Sequence, residues 1–310
     1  GLSDLFYTDY PKKSNEETYL MLFSQPLTEL VRKRFSCRSY SQQPIAQDVR
    51  LALGHEVDSG GAGPFGSHPR LQLVMATEED RRALQGLTTY GFIRGATGFL
   101  IGAVTPTDHN LEDFGYLVER IILHATDLDL GSCWLGGTFN RSRFSKKIAI
   151  GDSESIPAVV SLGYIARKPR RLDAMIRRGA GSDARLPWER LFFDAEFSVP
   201  LSPEIAGQYA APLEMVRLGP SASNQQPWRI VRRDGTWHLY LQRTPGYGEG
   251  GLSRLVRTTA DMQRIDMGIA MSHFELTANE LGLCGSWQIR EPGISKPDSL
   301  TEYTASWEPA

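Results

Sequence analysis

The stretch Gly219-Pro220-Ser221-Ala222-Ser223-Asn224-Gln225-Gln226-Pro227-Trp228 concentrates short hydrogen-bonding side chains between two prolines. Such a turn can present hydroxyls, amides and free backbone groups to a planar polar ligand. The same residue types build ordinary helix-to-strand loops, so a purely structural reading stands beside the ligand reading. No acid–base dyad or nucleophilic triad stands out elsewhere. Cys37, Cys133 and Cys284 are far apart, odd in number and without a CxxC pair. That argues against a disulfide framework or a thiolate zinc site and fits a reducing cytoplasm. The six histidines show no HExxH-type spacing, so no metal is expected. No GxGxxG follows a strand, which argues against a separate Rossmann nicotinamide site.

The elements that must hold this turn follow from the apolar pattern. A helix-like segment, Glu204 to Leu218, runs into it and a strand-like segment, Trp228 to Val231, runs out. Trp228 is expected in the core rather than as a stacking platform. Earlier in the chain, helices are expected over Pro26–Arg34, Gln47–His55 and Leu111–Leu128, the last ending near Gly131. Strands are expected over Leu71–Met75, Gly98–Val104 and Ile156–Ile165. A Gly-rich loop, Ser59 to Gly66, lies between. Asp113–Trp134 aligns with Asp266–Trp287 without a gap, with identities at Asp113/Asp266, Gly115/Gly268, Leu123/Leu276 and Trp134/Trp287 among others. Gly66-Ser67-His68-Pro69-Arg70 likewise lies opposite Asn224-Gln225-Gln226-Pro227-Trp228. The chain therefore reads as an internal duplication: an extension over 1–26, a first half over 27–172 and a second over 173–310.

The 310 residues suffice for two domains with ample core. Hydrophobic content of 41% and charged content of 23% are those of a soluble globular protein. A formal charge of −2 gives no global drive toward nucleic acid or membrane. No apolar run is long enough to cross a bilayer, and no basic-then-apolar leader pattern opens the sequence. A cytoplasmic location is expected.

Four motifs together resemble the FMN-dependent nitroreductases. They are Arg34-Phe35-Ser36-Cys37-Arg38-Ser39-Tyr40, the turn Pro220 to Trp228, Gly131-Ser132-Cys133-Trp134-Leu135-Gly136-Gly137, and Gly163-Tyr164-Ile165-Ala166-Arg167-Lys168-Pro169-Arg170. In that family all four lie in one shorter subunit, and two subunits intertwine around two FMN sites. Here the Arg/Ser motif occurs only in the first half and the intact turn only in the second. The resemblance thus implies an α+β chain of two tandem nitroreductase-like halves, each a mixed, mostly antiparallel sheet flanked by helices, forming an intramolecular pseudodimer with one composite FMN site. The fused-repeat subfamily has this character. The opposite site, from the loop Gly60–Arg70 and from Leu213–Arg217, lacks R-x-S-x-R and is expected to be empty.

By the same resemblance Arg34, Ser36 and Arg38 would cradle the FMN phosphate, since guanidinium forks engage two oxygens at once. A solvated basic helix end is the alternative. Lys168 or Arg170 would reach the same phosphate, or else belong to an exposed linker. Pro220, Ser221, Ser223, Asn224 and Gln226 would meet the isoalloxazine edge or the ribityl chain. Leu135, Gly136 and Gly137 would lie beside the flavin, with a helix C-cap as the alternative use of the glycines. Cys133 is read as a small buried hydrophobe. The implied activity is NAD(P)H-dependent, ping-pong reduction of a nitroaromatic, quinone or similar small acceptor by a monomer, with no catalytic side chain because the flavin carries the chemistry. The rival readings are a non-catalytic flavin-binding redox sensor or store, and a flavin-free partner-binding module.

Overall fold

The computed structural model describes residues 23–179, 181–182, 184–247 and 260–310, so most of the extension read over 1–26 lies outside it. Leu27, Leu30 and Val31 recur at helical spacing and form the buried stripe of α1 (Leu27–Lys33). There follow α2 (Gln47–Ser59), β1 (Arg70–Met75), β2 (Gly98–Ala103), α3 (Asn110–Asp127), β3 (Gly131–Leu135), α4 (Arg141–Lys147), β4 (Val159–Gly163) and α5 (Arg171–Gly179). The remaining elements are β5 (Phe192–Asp194), α6 (Pro203–Ala206), α7 (Ala210–Leu218), β6 (Trp228–Arg233), β7 (Thr236–Gln242), α8 (Met262–Glu280), β8 (Gly285–Gln288) and β9 (Thr301–Pro309).

The strands form two sheets that do not share a strand. The first has the order β1-β2-β4-β3 and is antiparallel throughout. Its central strands are buried at every position, which is why their sequences are apolar or small without alternation. The second has the order β5-β6-β7-β9-β8, with one parallel pair, β5–β6, among antiparallel ones. Its β6–β7 hairpin closes on Asp234-Gly235, both at positive φ (51° and 80°), a dipeptide that suits the twist of a two-residue turn. The fold is thus α+β, two mostly antiparallel sheets with helices around them.

Between the sheets run α3 and α8, the two helices of the sequence repeat. Each is buried along nearly its whole length, and apolar residues of both enter the cores of both halves. Their backbones touch at the repeat's two equivalent glycines. A Cβ at Gly115 would fall 2.2 Å from the Ile265 carbonyl oxygen, and one at Gly268 1.9 Å from the Glu112 carbonyl oxygen. Ile265 and Glu112 each stand three residues before their own helix's glycine. The contact is therefore two-fold symmetric within one chain, the signature of a pseudodimer. Asp261 starts α8 by accepting from the amides of Gln263 and Arg264.

Two expected boundaries differ. The helix read over Glu204–Leu218 is interrupted at Gly207, whose φ of 59° ends α6 before α7 begins. The Gly131–Leu135 segment, which begins where the long helix was expected to end, is a strand. The chain leaves α3 at Asp129, which takes φ 59°, and the Leu130 amide closes on the Ala125 carbonyl. Gly136 and Gly137 therefore follow a strand, and the helix C-cap alternative for them falls.

Gly268→Ala is expected to destabilise the protein by about 1–3 kcal/mol, because backbone cannot yield as a flexible side chain would. Gly54→Ala on α2, where an added Cβ meets nothing within 4 Å, is expected to stabilise by about 0.5–1 kcal/mol. Urea unfolding of the two variants measures the contrast, and equal midpoints would contradict it.

Candidate flavin site

Beyond α1 the chain becomes extended and runs beside β3. Ser36 bridges Ser132 in parallel sense, and the Cys37 amide donates to the Ser132 carbonyl at 2.8 Å. Period-two alternation sends Cys37 and Ser39 into the interior, 2% and 7% exposed, and leaves Ser36 and Arg38 on the other side. The side chain of Arg34 is only 6% exposed, and its nearest carboxylate is the fully buried Glu119, 3.7 Å from Nε. No hydrogen bond to any guanidinium nitrogen of Arg34 occurs among the described residues, and Nε is buried. A buried guanidinium nitrogen with no hydrogen-bond acceptor among the described residues is costly, and an anion in the adjoining cleft would engage the group.

Glu119 is held from three sides. Trp134 Nε1 donates to it at 2.7 Å, Arg34 lies beside it, and His273 Nε2 is 3.0 Å away. His273 Nδ1 in turn faces the Met215 carbonyl at 2.8 Å, which requires a proton on that nitrogen. This network joins α3, α8, α7 and β3, so the Arg34 motif is anchored to the crossing of the two halves.

The turn after α7 approaches from the other half. Ser223, Asn224 and Gln226 all take positive φ (51°, 55° and 50°) without being glycine. Such strain at three nearby positions persists only where surrounding contacts over-determine it, a pattern typical of ligand-holding segments. The Gln226 amide donates to Ser221 Oγ at 2.9 Å. Gln226 itself is 3% exposed and accepts from the Leu186 amide at 2.8 Å. Asn224 Nδ2 donates to the carbonyls of Gly181 and Ala184 at 2.7 and 3.0 Å. Two of the turn's amide side chains are thus spent holding Gly181, Ala184 and Leu186 against it.

Between these elements lies a two-compartment cleft. The outer compartment, about 590 Å³, is lined by Arg34, Ser36, Arg38, Leu135, Pro220, Ser221, Ser223 and Asn224. The inner one, about 230 Å³, shares Ser36, Arg38, Pro220, Ser221 and Ser223 and adds Gly136 and Gly137. The sequence-expected residues of three motifs are therefore brought to one place, from both halves. Gln226 is not on the lining, and neither are Lys168 and Arg170. Lys168 is exposed. Arg170 is engaged by Asp173 at 2.8 Å and donates to the Gly91 and Phe92 carbonyls. It reaches the site only indirectly, through the Arg38 carbonyl at 3.4 Å and through Ser39, which also bonds Asp173.

Sequence reasoning missed Thr138, Arg177, Ser182 and Arg185 in the outer compartment and Tyr247, Met262 and Asp266 in the inner one. Arg177 and Arg185 follow the last motif in an arginine-rich stretch with no spacing signal; Arg177 lies over the Phe35 ring at 5.5 Å. Asp266 carried a signal, its identity with Asp113 in the repeat. The outer lining holds five arginines, Arg32, Arg34, Arg38, Arg177 and Arg185, against one carboxylate, Glu214, which is paired with Arg217 at 2.7 Å. That balance suits a multiply charged anion. Cys133 borders the cleft, yet burial pushes its thiol above the ordinary value, so it is an inert wall rather than a thiolate.

Asn224→Leu is expected to release Gly181, Ala184 and Leu186 from the turn. Amide exchange at Ala184 and Leu186 should rise severalfold in that variant, while amides within α7 stay as protected as before. Unchanged exchange at both positions would show that Asn224 does not hold these residues.

Comparison with known proteins agrees with this architecture. The family model described as "Putative TM nitroreductase" matches residues 26–278. No curated protein gives a significant sequence match. A solved structure from Thermotoga maritima, carrying a nitroreductase description of the same kind, superposes over 99% of this chain and 98% of its own, with TM-score 0.56 and 16% identity. That likeness is one of fold. A nitroreductase family protein of Clostridium difficile covers 52% of this chain and 92% of itself (TM-score 0.39, 19% identity). A Bacteroides fragilis nitroreductase described with bound FMN covers 47% and 92% (TM-score 0.37, 19% identity). With its matched region taking in the first sheet, β5 to β7 of the second and nearly all of the central helix pair, the chain belongs to the nitroreductase family of that description.

Proposed function

We propose that the chain binds one FMN in the two-compartment cleft and works as an NAD(P)H-dependent oxidoreductase on a nitroaromatic, quinone or similar small acceptor. The observation that carries the reading is Arg34, a nearly buried guanidinium whose nitrogens find no hydrogen-bond acceptor within the described protein and which lines a cationic cleft. A terminal phosphate fits that demand, with Arg38 and the Ser36 hydroxyl beside it. Family membership and the FMN named for the Bacteroides fragilis protein support the choice of flavin.

In this reading Arg34 and Arg38 hold the phosphate, with Glu119 fixing Arg34 from behind. Pro220, Ser221 and Ser223 form the wall against the ring and ribityl chain, while Asn224 and Gln226 keep that wall in shape. Gly136 and Gly137 bring backbone to the inner compartment, with the Met262 side chain packed against Gly136 where a Cβ would stand. The bound flavin supplies hydride acceptance from the nicotinamide and reduction of the acceptor; the protein supplies binding, orientation and electrostatics. Arg170 enters as a support of the Arg38 segment rather than a phosphate ligand, and exposed Lys168 has no part in the cleft lining. The reading also takes the chain as a monomer of two halves, 27–172 and 173–310, since the pairing of halves is satisfied within it. Among the described residues no helix is long and apolar enough to cross a membrane.

Titration of the purified chain with FMN, followed by flavin fluorescence and visible absorption, is expected to saturate near one flavin per chain. Arg38→Ala should weaken FMN binding about tenfold or more while changing riboflavin binding little, as expected for a lost charge-assisted bond. Arg232→Met, in the distant pair with Asp194, should leave both unchanged. Steady-state NADH and NADPH oxidation with menadione or nitrofurazone then separates an enzyme from a flavin store. No flavin binding would overturn the proposal, and two per chain would overturn the single-site part of it.

A further inference from the structure

Asp113 and Asp266 are equivalent in the repeat and both are buried, 0% and 1% exposed, yet their surroundings differ. Asp113 is saturated from within its own half. Its Oδ1 accepts from the Phe65 amide at 2.9 Å, and its Oδ2 from the Ser67 amide at 2.8 Å and the Ser67 hydroxyl at 2.6 Å. The loop lies directly on it, since a Cβ at Gly63 would come within 2.4 Å of the Asp113 side chain.

Asp266 accepts from one donor among the described residues, the Ala222 amide, shared between its oxygens at 3.0 and 3.1 Å. Where Asp113 has a loop, Asp266 has the inner compartment of the cleft. A carboxyl group offers about four lone-pair positions. A buried one with most of them unused is destabilising unless something else fills them. Burial raises its pKa well above the usual carboxylate range, the Ala222 amide opposes this, and the charges of Asp261 and Glu119 add to it. A neutral carboxyl carries one donor and one acceptor side by side.

We propose that Asp266 is the recognition group for a planar imide edge, –CO–NH–CO–, its carbonyl oxygen accepting from the imide N–H and its hydroxyl donating to a flanking carbonyl. The pyrimidine ring of FMN carries that edge, so the inference rests on the flavin reading above. In the first half the amides of Phe65 and Ser67 and the Ser67 hydroxyl occupy the corresponding acceptor positions. The duplicated cavity is closed there by the chain itself, and Asp266 retains the vacancy for a ligand.

The test compares FMN with N3-methyl-FMN in fluorescence titrations of the full chain. Wild type should prefer FMN about tenfold or more, the worth of one good hydrogen bond in a dry site. Asp266→Ala should bind the two equally, and Asp266→Asn, which keeps a donor and an acceptor, should retain the preference. Equal affinities in wild type, a comparison that needs no variant to fold, would overturn the inference while leaving FMN binding intact. A preference surviving in Asp266→Ala would overturn it as well. Failure of wild type to bind FMN at all would overturn both the inference and the flavin reading.

Discussion

Two helix backbones in direct contact at Gly115 and Gly268 are the constraint on which the rest of the molecule depends. Side chains at either position would wedge α3 and α8 apart by backbone collision. With them in contact, residues from both helices enter both cores, and the two sheets are fixed relative to each other. That fixes the distance between the Arg34 motif on one half and the Pro220 turn on the other. A site assembled from two halves needs this rigidity, because a cleft wall displaced by an ångström no longer presents its donors together.

The approximate two-fold symmetry of the crossing does not extend to its chemistry. Glu119 and His273 link the helices on one side, next to Arg34 and Trp134. The residues that the repeat aligns with them are Ser272 and Arg120. Arg120 instead turns outward to Glu56 at 2.8 Å. Duplication supplied two equal frameworks, and the buried polar groups then diverged. One side holds a cleft where, among the described residues, Arg34 and Asp266 are short of hydrogen-bond partners. On the other, Asp113 is filled by its own loop and Arg217 is spent on Glu214.

Much of the fold was legible in the chain. The apolar stripe of α1, the continuous apolar runs of β2 and β4, and the length of α3 all follow from local pattern, and the gapless alignment of Asp113–Trp134 with Asp266–Trp287 exposed the pseudodimer. Local pattern misled at Gly131–Leu135. A short apolar run after a helix has no period of its own, and only its pairing with β4 makes it a strand. The Pro220 turn was visible as composition, but its three positive φ values were not, because Ser, Asn and Gln do not demand them.

The sequence alone singled out residue types suited to an anion and a planar ligand, because guanidinium forks engage two oxygens at once and a Pro-bounded polar turn offers hydroxyls and amides. Only the tertiary structure decided which members of those motifs line a cleft and which support it. Arg34 and Arg170 are alike as residues, yet among the described residues no hydrogen-bond acceptor reaches Arg34, while Arg170 is engaged by Asp173 and by the carbonyls of Gly91, Phe92 and Arg38. Asn224 and Gln226 are alike in chemistry, yet the first borders the cleft and the second is sealed beneath Leu186. The physical reason is that hydrogen-bond satisfaction is a property of the whole packed surroundings. The nearest acceptor of a side chain can come from any part of the chain, and no local spacing records where it will be.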